Sequence, residues 1–514
     1  MSATAGSDAQ GRRIAPGFPL LATGTAAASI AFFLWRMSHS AYTPDFPWLW
    51  RAGQHILETG RLPAGDVFSW TRQGEPWVLY QWLFEVALAQ GEALLGLRGL
   101  FALFTVAAIA IYLVAPLYGA VPRRVAPAFV LMPGALALAV ASVNLSLRPM
   151  IVTSACLLAQ YWMVQRLRRG ESNLRATVLL LLPLYLLWGN MHTGVLLGLV
   201  SLGLLAAGDL AERRRIYVFE PADPAIEGRP LAWPAYLALA GAAFTASLIN
   251  PYGIGIYDYI IALSRQSYLN GLIEELRSPD FHQLRFSWFL LLVGGLLFFL
   301  TRTRRALSAG DLLHLLVFTA ATLHSARFVV WAVLFYGLVL PRAIHHEWFA
   351  ALGPQTGRQG AEATPQPLAD GALRAAVAAT CILLPVAFWL AVADDVDGDW
   401  CDPMRPTITA YLAVQRPGDR LFNDPTTGSC LLAQDPGRRV FIDTRFDFYG
   451  APFTRQTMAA LNLAPGWRRT LDAWRIDAVV LQRDAPLAQA LLVVDDFVTI
   501  FEDDRGVVLR RRDP

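Results

Sequence analysis

Apolar residues recur along the chain in runs of about twenty, the length that one helix needs to cross a ~30 Å hydrocarbon core. The runs cover residues 18–36, 99–119, 125–143, 150–165, 176–189, 192–211, 231–249, 286–301, 311–324, 327–343 and 374–393. As one helix, residues 176–211 would be roughly 54 Å long, so residues 188–194 (WGNMHTG) are predicted to form a turn. The pattern predicts a polytopic α-helical membrane protein with about 11 transmembrane helices.

Residues 394–514 have a different pattern, in which short apolar strands alternate with helical stretches. Strands are expected at 420–423, 440–443, 478–481, 498–501 and 507–510, and helices at 453–463, 467–475 and 485–493. This alternation predicts a small C-terminal α/β domain. The remaining residues, 1–393, are predicted to form a membrane domain.

The first long connection, residues 37–98, is assigned to this membrane domain but is too long for a turn, so it must have structure of its own. Residues 46–60 have the pattern of an amphipathic helix closed by a glycine, and residues 77–95 that of a second one; both suit the membrane interface. Asp45 directly precedes the first helix. It is therefore either a helix cap or a base placed to act on a lipid-borne substrate.

Composition removes several classes of protein. The chain is 55% apolar and 16% charged, with a mean hydropathy of +0.40, which excludes a water-soluble enzyme of this size. All 43 basic residues are arginine, so no lysine can form a Schiff base or bind a nucleotide phosphate. The chain has no GxGxxG, P-loop or GxSxG motif and no CxxC pair. We therefore expect no nucleotide, flavin or haem, and no nucleic-acid partner.

The arginines predict the orientation. With a cytoplasmic N-terminus, 18 of the 28 arginines before residue 394 fall on the cytoplasmic side and ten on the other. The C-terminal domain is then extracytoplasmic. In that oxidising space a disulfide between Cys401 and Cys430 becomes plausible.

Polar residues of mixed type collect at the outer connections, as a catalytic or binding cleft requires, although each alone could simply cap a helix. The candidate substrate-binding residues are Arg51, Arg148, Asn190, His192, Asn250, Glu274, Asp280, His324 and Arg327. The adjacent Glu274 and Glu275 could bind a divalent cation or could form a solvated face. The cofactor is otherwise unknown.

Several short segments resemble those of uncharacterised bacterial members of the GT-C superfamily of polyprenyl-phosphate-sugar-dependent glycosyltransferases. They are residues 44–53 (PDFPWLWRAG), 60–70 (GRLPAGDVFSW), 77–83 (WVLYQWL), 188–192 (WGNMH), 250–253 (NPYG) and 440–445 (VFIDTR). The order of elements, with an acidic residue after the first helix and a large first outer loop, is also similar.

The resemblance implies a hexosyl or pentosyl transferase of the bacterial inner membrane, acting at the periplasmic face in cell-envelope synthesis. Asp45 would be the catalytic base, with Asp66 as the alternative. The family's protein mannosyltransferases carry an Asp-Glu pair at this point, whereas this chain has Asp45-Phe46, so the acceptor stays open: a glycan, a lipid or a protein. Arginine and histidine at outer helix ends would bind the phosphate. The alternatives are a non-catalytic membrane subunit and a transporter of lipid-linked glycans.

Overall fold

The computed structural model describes residues 17–40, 43–119, 125, 127–142, 144–217, 228–266, 268–302, 307–350, 379–380, 382–391, 401 and 404–512. Contacts divide the chain into two compact units. The first contains Met1–Ala41, Phe101–Gly253 and Ile273–Ala391, and the second contains Tyr42–Leu100, Ile254–Leu272 and Val392–Pro514. The predicted boundary at 393/394 lies outside the described residues. The structure differs from the prediction for the loop 37–98, most of which groups with the C-terminal residues.

The described residues are mainly helical. In chain order the helices are α1 (Gly17–Ser40), α2 (Phe46–Thr59), α3 (Trp82–Ile109), α4 (Ala115–Gly119), α5 (Pro127–Ala141), α6 (Met150–Arg168), α7 (Leu174–Met191), α8 (Val195–Arg213), α9 (Trp233–Ser247), α10 (Gly255–Ser264), α11 (Leu269–Leu272), α12 (Leu284–Arg302), α13 (Ala309–His324), α14 (Val329–Ala350), α15 (Ile382–Ala391), α16 (Arg405–Val414), α17 (Pro425–Gln434), α18 (Phe446–Leu461), α19 (Trp467–Ala473) and α20 (Pro486–Leu491). A short π-helix, Ala110–Val114, joins α3 to α4.

Each predicted membrane span overlaps a helix. These helices are α1, α3 together with α4, α5 to α9, and α12 to α15. Within the described ranges, four helical stretches are long and apolar enough to cross a membrane, Trp82–Gly119, Leu174–Met191, Val195–Arg213 and Ala326–Ile344. Four shorter apolar helices accompany them. The chain is thus a multi-pass membrane protein by its helices, and the number of 11 spans stays a prediction.

Two predicted helix boundaries differ from the structure. Helix α7 continues to Met191, so the turn predicted at 188–194 falls after it. In its last turn the Asn190 side-chain amide donates to the Leu186 carbonyl at 2.8 Å. The interfacial helix predicted at 77–95 begins at Trp82. Its predicted end agrees with the structure, because Gly96 has non-helical angles, φ +65° and ψ 173°, and interrupts α3 before the next span.

In the first unit, α1 packs on α5, α7 on α9, and α8 on α13. The backbones of α8 and α13 approach so closely that a Cβ at Gly208 would lie 2.2 Å from the nitrogen of Gly310. Two buried ion pairs also connect helices of this unit. Arg168 of α6 contacts Asp209 of α8 at 3.0 Å, and Arg342 of α14 contacts Asp311 of α13 at 2.9 Å. A buried charge is stable only when it is paired in this way.

The second unit contains a sheet which, over the described residues, has the order β1-β2-β4-β3. Its strands are β1 (Leu421–Asn423), β2 (Ala478–Gln482), β3 (Phe497–Glu502) and β4 (Gly506–Arg511). β1 and β2 are parallel, and β4 pairs antiparallel with both β2 and β3. A small C-terminal sheet is therefore present, accompanied by helices α16 to α20, and a separate C-terminal α/β domain stays a prediction.

One predicted strand is not part of this sheet. Residues 440–443 are buried, but Val440 pairs with the loop, accepting from Trp70 N–H at 3.0 Å and donating to the Phe68 carbonyl at 2.9 Å. The Phe441 N–H donates to the Asn423 side chain instead of to a neighbouring strand. A buried apolar run predicts that a segment is buried but does not predict which segment it pairs with. Here Val440 pairs with the loop at Phe68 and Trp70.

Cys401 and Cys430 are joined by a disulfide, with their Cα atoms 5.6 Å apart, a normal distance for such a bond. It links the start of the domain to α17. The expected pairing is therefore present, and Cys156 is buried and free.

A buried triad of charges joins the loop to the C-terminal residues within the second unit. The Arg445 guanidinium, 1% exposed, contacts Asp66 at 2.8 Å and Asp443 at 2.6 Å. It also lies 4.4 Å from the ring centre of Trp77 and 4.9 Å from that of Phe448. Burial of three charges is tolerated because each has a partner of opposite sign.

We expect Arg445→Met to lower the free energy of unfolding by about 3–5 kcal/mol, because it leaves Asp66 and Asp443 buried without their cation. The matched control is Arg483→Met, which breaks an exposed pair with Glu502 and should cost about 1 kcal/mol or less. Thermal unfolding of the purified protein in detergent measures both. Equal midpoints for the two variants would contradict the structural role of the triad.

Candidate active site

Asp45 stands at the start of α2, half-buried, with backbone angles of φ −83° and ψ −25°. Its carboxylate forms no capping hydrogen bond to the described backbone of α2. Instead, Oδ1 accepts a hydrogen bond of 2.7 Å from the Thr444 hydroxyl. The structure therefore favours a carboxylate held for another purpose over a simple helix cap.

Further polar groups surround Asp45 in the second unit. Asp447 accepts a short hydrogen bond from the Tyr259 hydroxyl, and the Tyr268 hydroxyl donates to the Phe446 carbonyl at 2.7 Å. Tyr259 lies beside Tyr80, with ring centres 5.1 Å apart. Burial raises the pKa of Asp447, and the charge of Asp45 adds to the effect. Sequence analysis did not select Thr444, Asp447 or Tyr259. The only signal in the sequence was the segment 440–445 (VFIDTR), which contains Thr444 and ends shortly before Asp447.

Asp66, the alternative base, is placed differently. It is 1% exposed and accepts hydrogen bonds from the Ser69 N–H at 2.8 Å and the Ser69 hydroxyl at 2.5 Å, besides its contact with Arg445. A carboxylate enclosed by these donors cannot reach an acceptor hydroxyl. Asp66 is therefore a structural residue, and its candidacy as the base is corrected.

Arg51 was expected to bind substrate, but the structure gives it a partner within its own helix. Its guanidinium donates to both carboxylate oxygens of Glu58, at 2.9 and 3.2 Å. The Arg51 side chain is 7% exposed, whereas Glu58 is 54% exposed. The pair stabilises α2 and leaves the cation little access to a ligand.

A second polar cluster lies in the first unit, where Arg148 and Arg327 share one carboxylate. Arg148 Nη1 lies 2.9 Å from Glu275 Oε2, and Arg327 Nη2 lies 2.5 Å from Oε1. Burial alone would raise the pKa of Glu275, but the two arginine charges outweigh it and lower that pKa to about 2. Arg148 and Arg327, at 20% and 31% exposure, stay partly accessible.

Backbone contacts hold this cluster in place. The Ser325 hydroxyl donates to the Glu275 carbonyl at 3.1 Å, and the Ala326 N–H donates to the Arg277 carbonyl at 2.8 Å. The Asn144 amide in turn donates to the Ala326 carbonyl at 3.1 Å. Three connections that are distant in sequence therefore converge, as their mixed polar residues predicted.

His192 lies in the turn between α7 and α8 and contacts the Thr153 hydroxyl at 2.6 Å. Burial, together with the Arg327 and Arg148 charges, lowers the pKa of His192 to about 3. The ring is therefore neutral at pH 7. The expectation that His192 provides a cation is corrected, because a buried imidazole beside two guanidinium groups does not hold a proton.

The other candidates have structural contacts. Asn190 donates to the Ile249 carbonyl at 2.8 Å, and Asn250 forms a local turn by accepting from the Tyr252 N–H at 2.8 Å. Asp280 accepts from the His282 N–H at 3.0 Å. The His324 carbonyl accepts from Ser278 at 3.4 Å, and Glu274 lies in the short helical turn that contains Glu275.

The Glu274–Glu275 pair does not fit a divalent cation. Glu275 is already engaged by two arginines, so adding a metal would place like charges together. Across the described part of the chain, no group of three or more histidine, cysteine, aspartate or glutamate side chains has the arrangement of a metal site.

Comparisons with known proteins agree on the fold alone. No family model matches the sequence, and no curated protein matches it. The oligosaccharyltransferase from Archaeoglobus fulgidus, tethered with an acceptor peptide, superposes with a TM-score of 0.51 at 12% identity, over 97% of this chain and 74% of that one. Its apo form gives 0.50 at 11% identity, over 91% and 70%. The chain shares its fold with this oligosaccharyltransferase.

The ArnT protein from Cupriavidus metallidurans, bound to undecaprenyl phosphate, matches with a TM-score of 0.49 and 15% identity, over 96% of this chain and 98% of that one. What these likenesses show is the fold that the chain shares with the oligosaccharyltransferase. At such identities the residues of the site must be argued from this chain itself.

We expect Glu275→Gln to lower the free energy of unfolding by about 1.5–3 kcal/mol at pH 7, because Arg148 and Arg327 lose their shared anion. The wild-type advantage should be complete above pH ~4.3, the unfolded value for glutamate, and should disappear as the pH falls towards about 2. Thermal unfolding from pH 2 to 7 measures this difference.

The control for that series is Glu502→Gln, which alters an exposed pair with Arg483 and should have little effect at any pH. If the unfolding midpoint of Glu275→Gln equals that of the wild type at every pH, the Glu275 carboxylate does not hold the two arginines.

Proposed function

We propose that the chain is an integral-membrane glycosyltransferase that moves a hexosyl or pentosyl group from a polyprenyl-phosphate donor to an acceptor hydroxyl. The acceptor oxygen attacks the anomeric carbon, the bond from that carbon to the phosphate oxygen breaks, and polyprenyl phosphate leaves. Asp45 takes the proton of the hydroxyl. Arg148 and Arg327 are assigned to the phosphate.

The observation that carries this proposal is the Asp45 carboxylate, which is partly exposed and held by a side chain 399 positions away instead of capping α2. The fold supports the proposed class of reaction, because it is shared by an oligosaccharyltransferase whose structure holds an acceptor peptide. That fold supports sugar transfer in general, and the donor and acceptor belong to the proposal.

The arginine pair supports a phosphate-bearing donor. A planar guanidinium matches two phosphate oxygens, and Glu275 orients two such groups at once. Guanidinium groups complement the negative charge that develops on the leaving phosphate. A transporter or a non-catalytic subunit does not require a carboxylate held as that of Asp45 is, by Thr444 and not by the backbone of α2.

We place the reaction at the periplasmic face of a bacterial inner membrane, with the N-terminus in the cytoplasm, in the synthesis of cell-envelope material. The arginine asymmetry supports this orientation. The Cys401–Cys430 disulfide supports it independently, because such bonds persist in oxidising compartments.

Asp45→Asn should lower kcat by about 10²- to 10⁴-fold and leave donor KM nearly unchanged, because it removes the base but keeps the shape of the side chain. The measurement is release of polyprenyl phosphate by the purified protein in detergent. The control is Asp258→Asn, an exposed carboxylate in the first turn of α10. If Asp45→Asn keeps turnover within a few-fold of wild type, Asp45 is not the base.

The orientation predicts that a reporter active only in the periplasm works when fused after residue 394 and is silent when fused after Tyr217. With the N-terminus in the cytoplasm, the eleven predicted spans before residue 394 place it outside, whereas the six before Tyr217 leave it inside. A cytoplasmic reporter at the same two positions is the control. Reversed signals would overturn the periplasmic assignment.

A further inference from the structure

Residues 443–447 present alternate side chains to two environments of the second unit. Asp443 and Arg445 are buried in the charge triad, at 0% and 1% exposure. Thr444 and Asp447, between and beyond them, are half-buried on the side that faces Asp45 and Tyr259. The triad therefore fixes the backbone from which Thr444 extends.

We infer that Thr444 is a positioning residue that orients the Asp45 carboxylate for the transfer step. The inference rests on the proposed function, since it concerns the same base. It gives the C-terminal residues a part in catalysis. An ionised carboxylate can only accept, so the hydroxyl must donate across the 2.7 Å contact.

The hydroxyl is itself oriented. The Ser429 hydroxyl lies 3.2 Å from Thr444 Oγ1, and the Thr444 N–H donates to Ser429 Oγ at 3.3 Å. When Ser429 donates its proton, Thr444 directs its own towards Asp45 or towards the more distant Pro44 carbonyl at 3.3 Å. The shorter contact to a charged acceptor is the stronger one.

Asp45 needs such a donor because a second carboxyl group is near. Asp447 faces it, and Tyr259 holds Asp447 through a hydrogen bond. Two neighbouring carboxyl groups do not ionise equally, and the one with better donors keeps the charge. Burial and the nearby Asp45 charge raise the pKa of Asp447, and the Thr444 hydroxyl gives Asp45 a donor beside this second carboxyl group.

The test compares Thr444→Val, which keeps the shape and removes the donor, with Thr444→Ser, which keeps the donor. Thr444→Val should lower kcat roughly 10- to 100-fold, the range expected for one hydrogen bond to a charged group, with donor KM unchanged. The acidic limb of its pH–rate profile should move to higher pH, because the charged carboxylate loses a stabilising donor. Thr444→Ser should restore both values.

The matched control is Thr71→Val in the same unit. Thr71 donates to the Phe441 carbonyl at 2.6 Å, so this change removes one hydrogen bond between the loop and the C-terminal residues but does not touch Asp45. It should keep the wild-type pH profile. Thr444→Ala is the second variant if Thr444→Val does not fold.

The possible outcomes separate this inference from the proposed function. If Asp45→Asn is inactive while Thr444→Val matches Thr71→Val in rate and pH profile, the positioning role is overturned and the function stands. If wild-type protein transfers no sugar, both are overturned. A slow, pH-shifted Thr444→Val that Thr444→Ser rescues supports the inference.

Discussion

The Arg445 guanidinium is the constraint on which the second unit depends. A buried cation must have anions beside it, and Asp66 and Asp443 come from segments more than 370 positions apart. Satisfying that requirement brings the loop after α2 against the residues before α18. Thr444 then reaches Asp45 because its two neighbours are fixed. A structural need for charge compensation thus creates the geometry of the candidate base.

The same rule operates in the first unit with a different result. Arg148 and Arg327 both contact one carboxylate, Glu275, and both stay partly exposed. The triad around Arg445 has two anions for one cation and is sealed from solvent. The two arginines around Glu275 suit an anionic ligand, whereas the buried triad around Arg445 has a structural role.

Local features were predictable from the sequence, and long-range partners were not. Helix α2, closed by Gly60, follows from an amphipathic pattern and a glycine that adopts a φ of +67°. The apolar runs likewise predict the helices that they form. Asp66 looked like a candidate base because nothing near it in sequence reveals Arg445. The strand expected at 440–443 failed for the same reason, since its partner is the loop. Glu275 was seen only as half of an acidic pair.

The central claim is that this chain cleaves a sugar from a polyprenyl-phosphate carrier and transfers it without a soluble nucleotide sugar. The most direct measurement places the purified protein in lipid nanodiscs with a labelled polyprenyl-phosphate sugar and follows both the sugar and the freed carrier. The account predicts equal release of polyprenyl phosphate and appearance of transferred sugar, with no nucleotide present. Intact donor across a panel of hexosyl and pentosyl carriers, or turnover only when a nucleotide sugar is added, would contradict it.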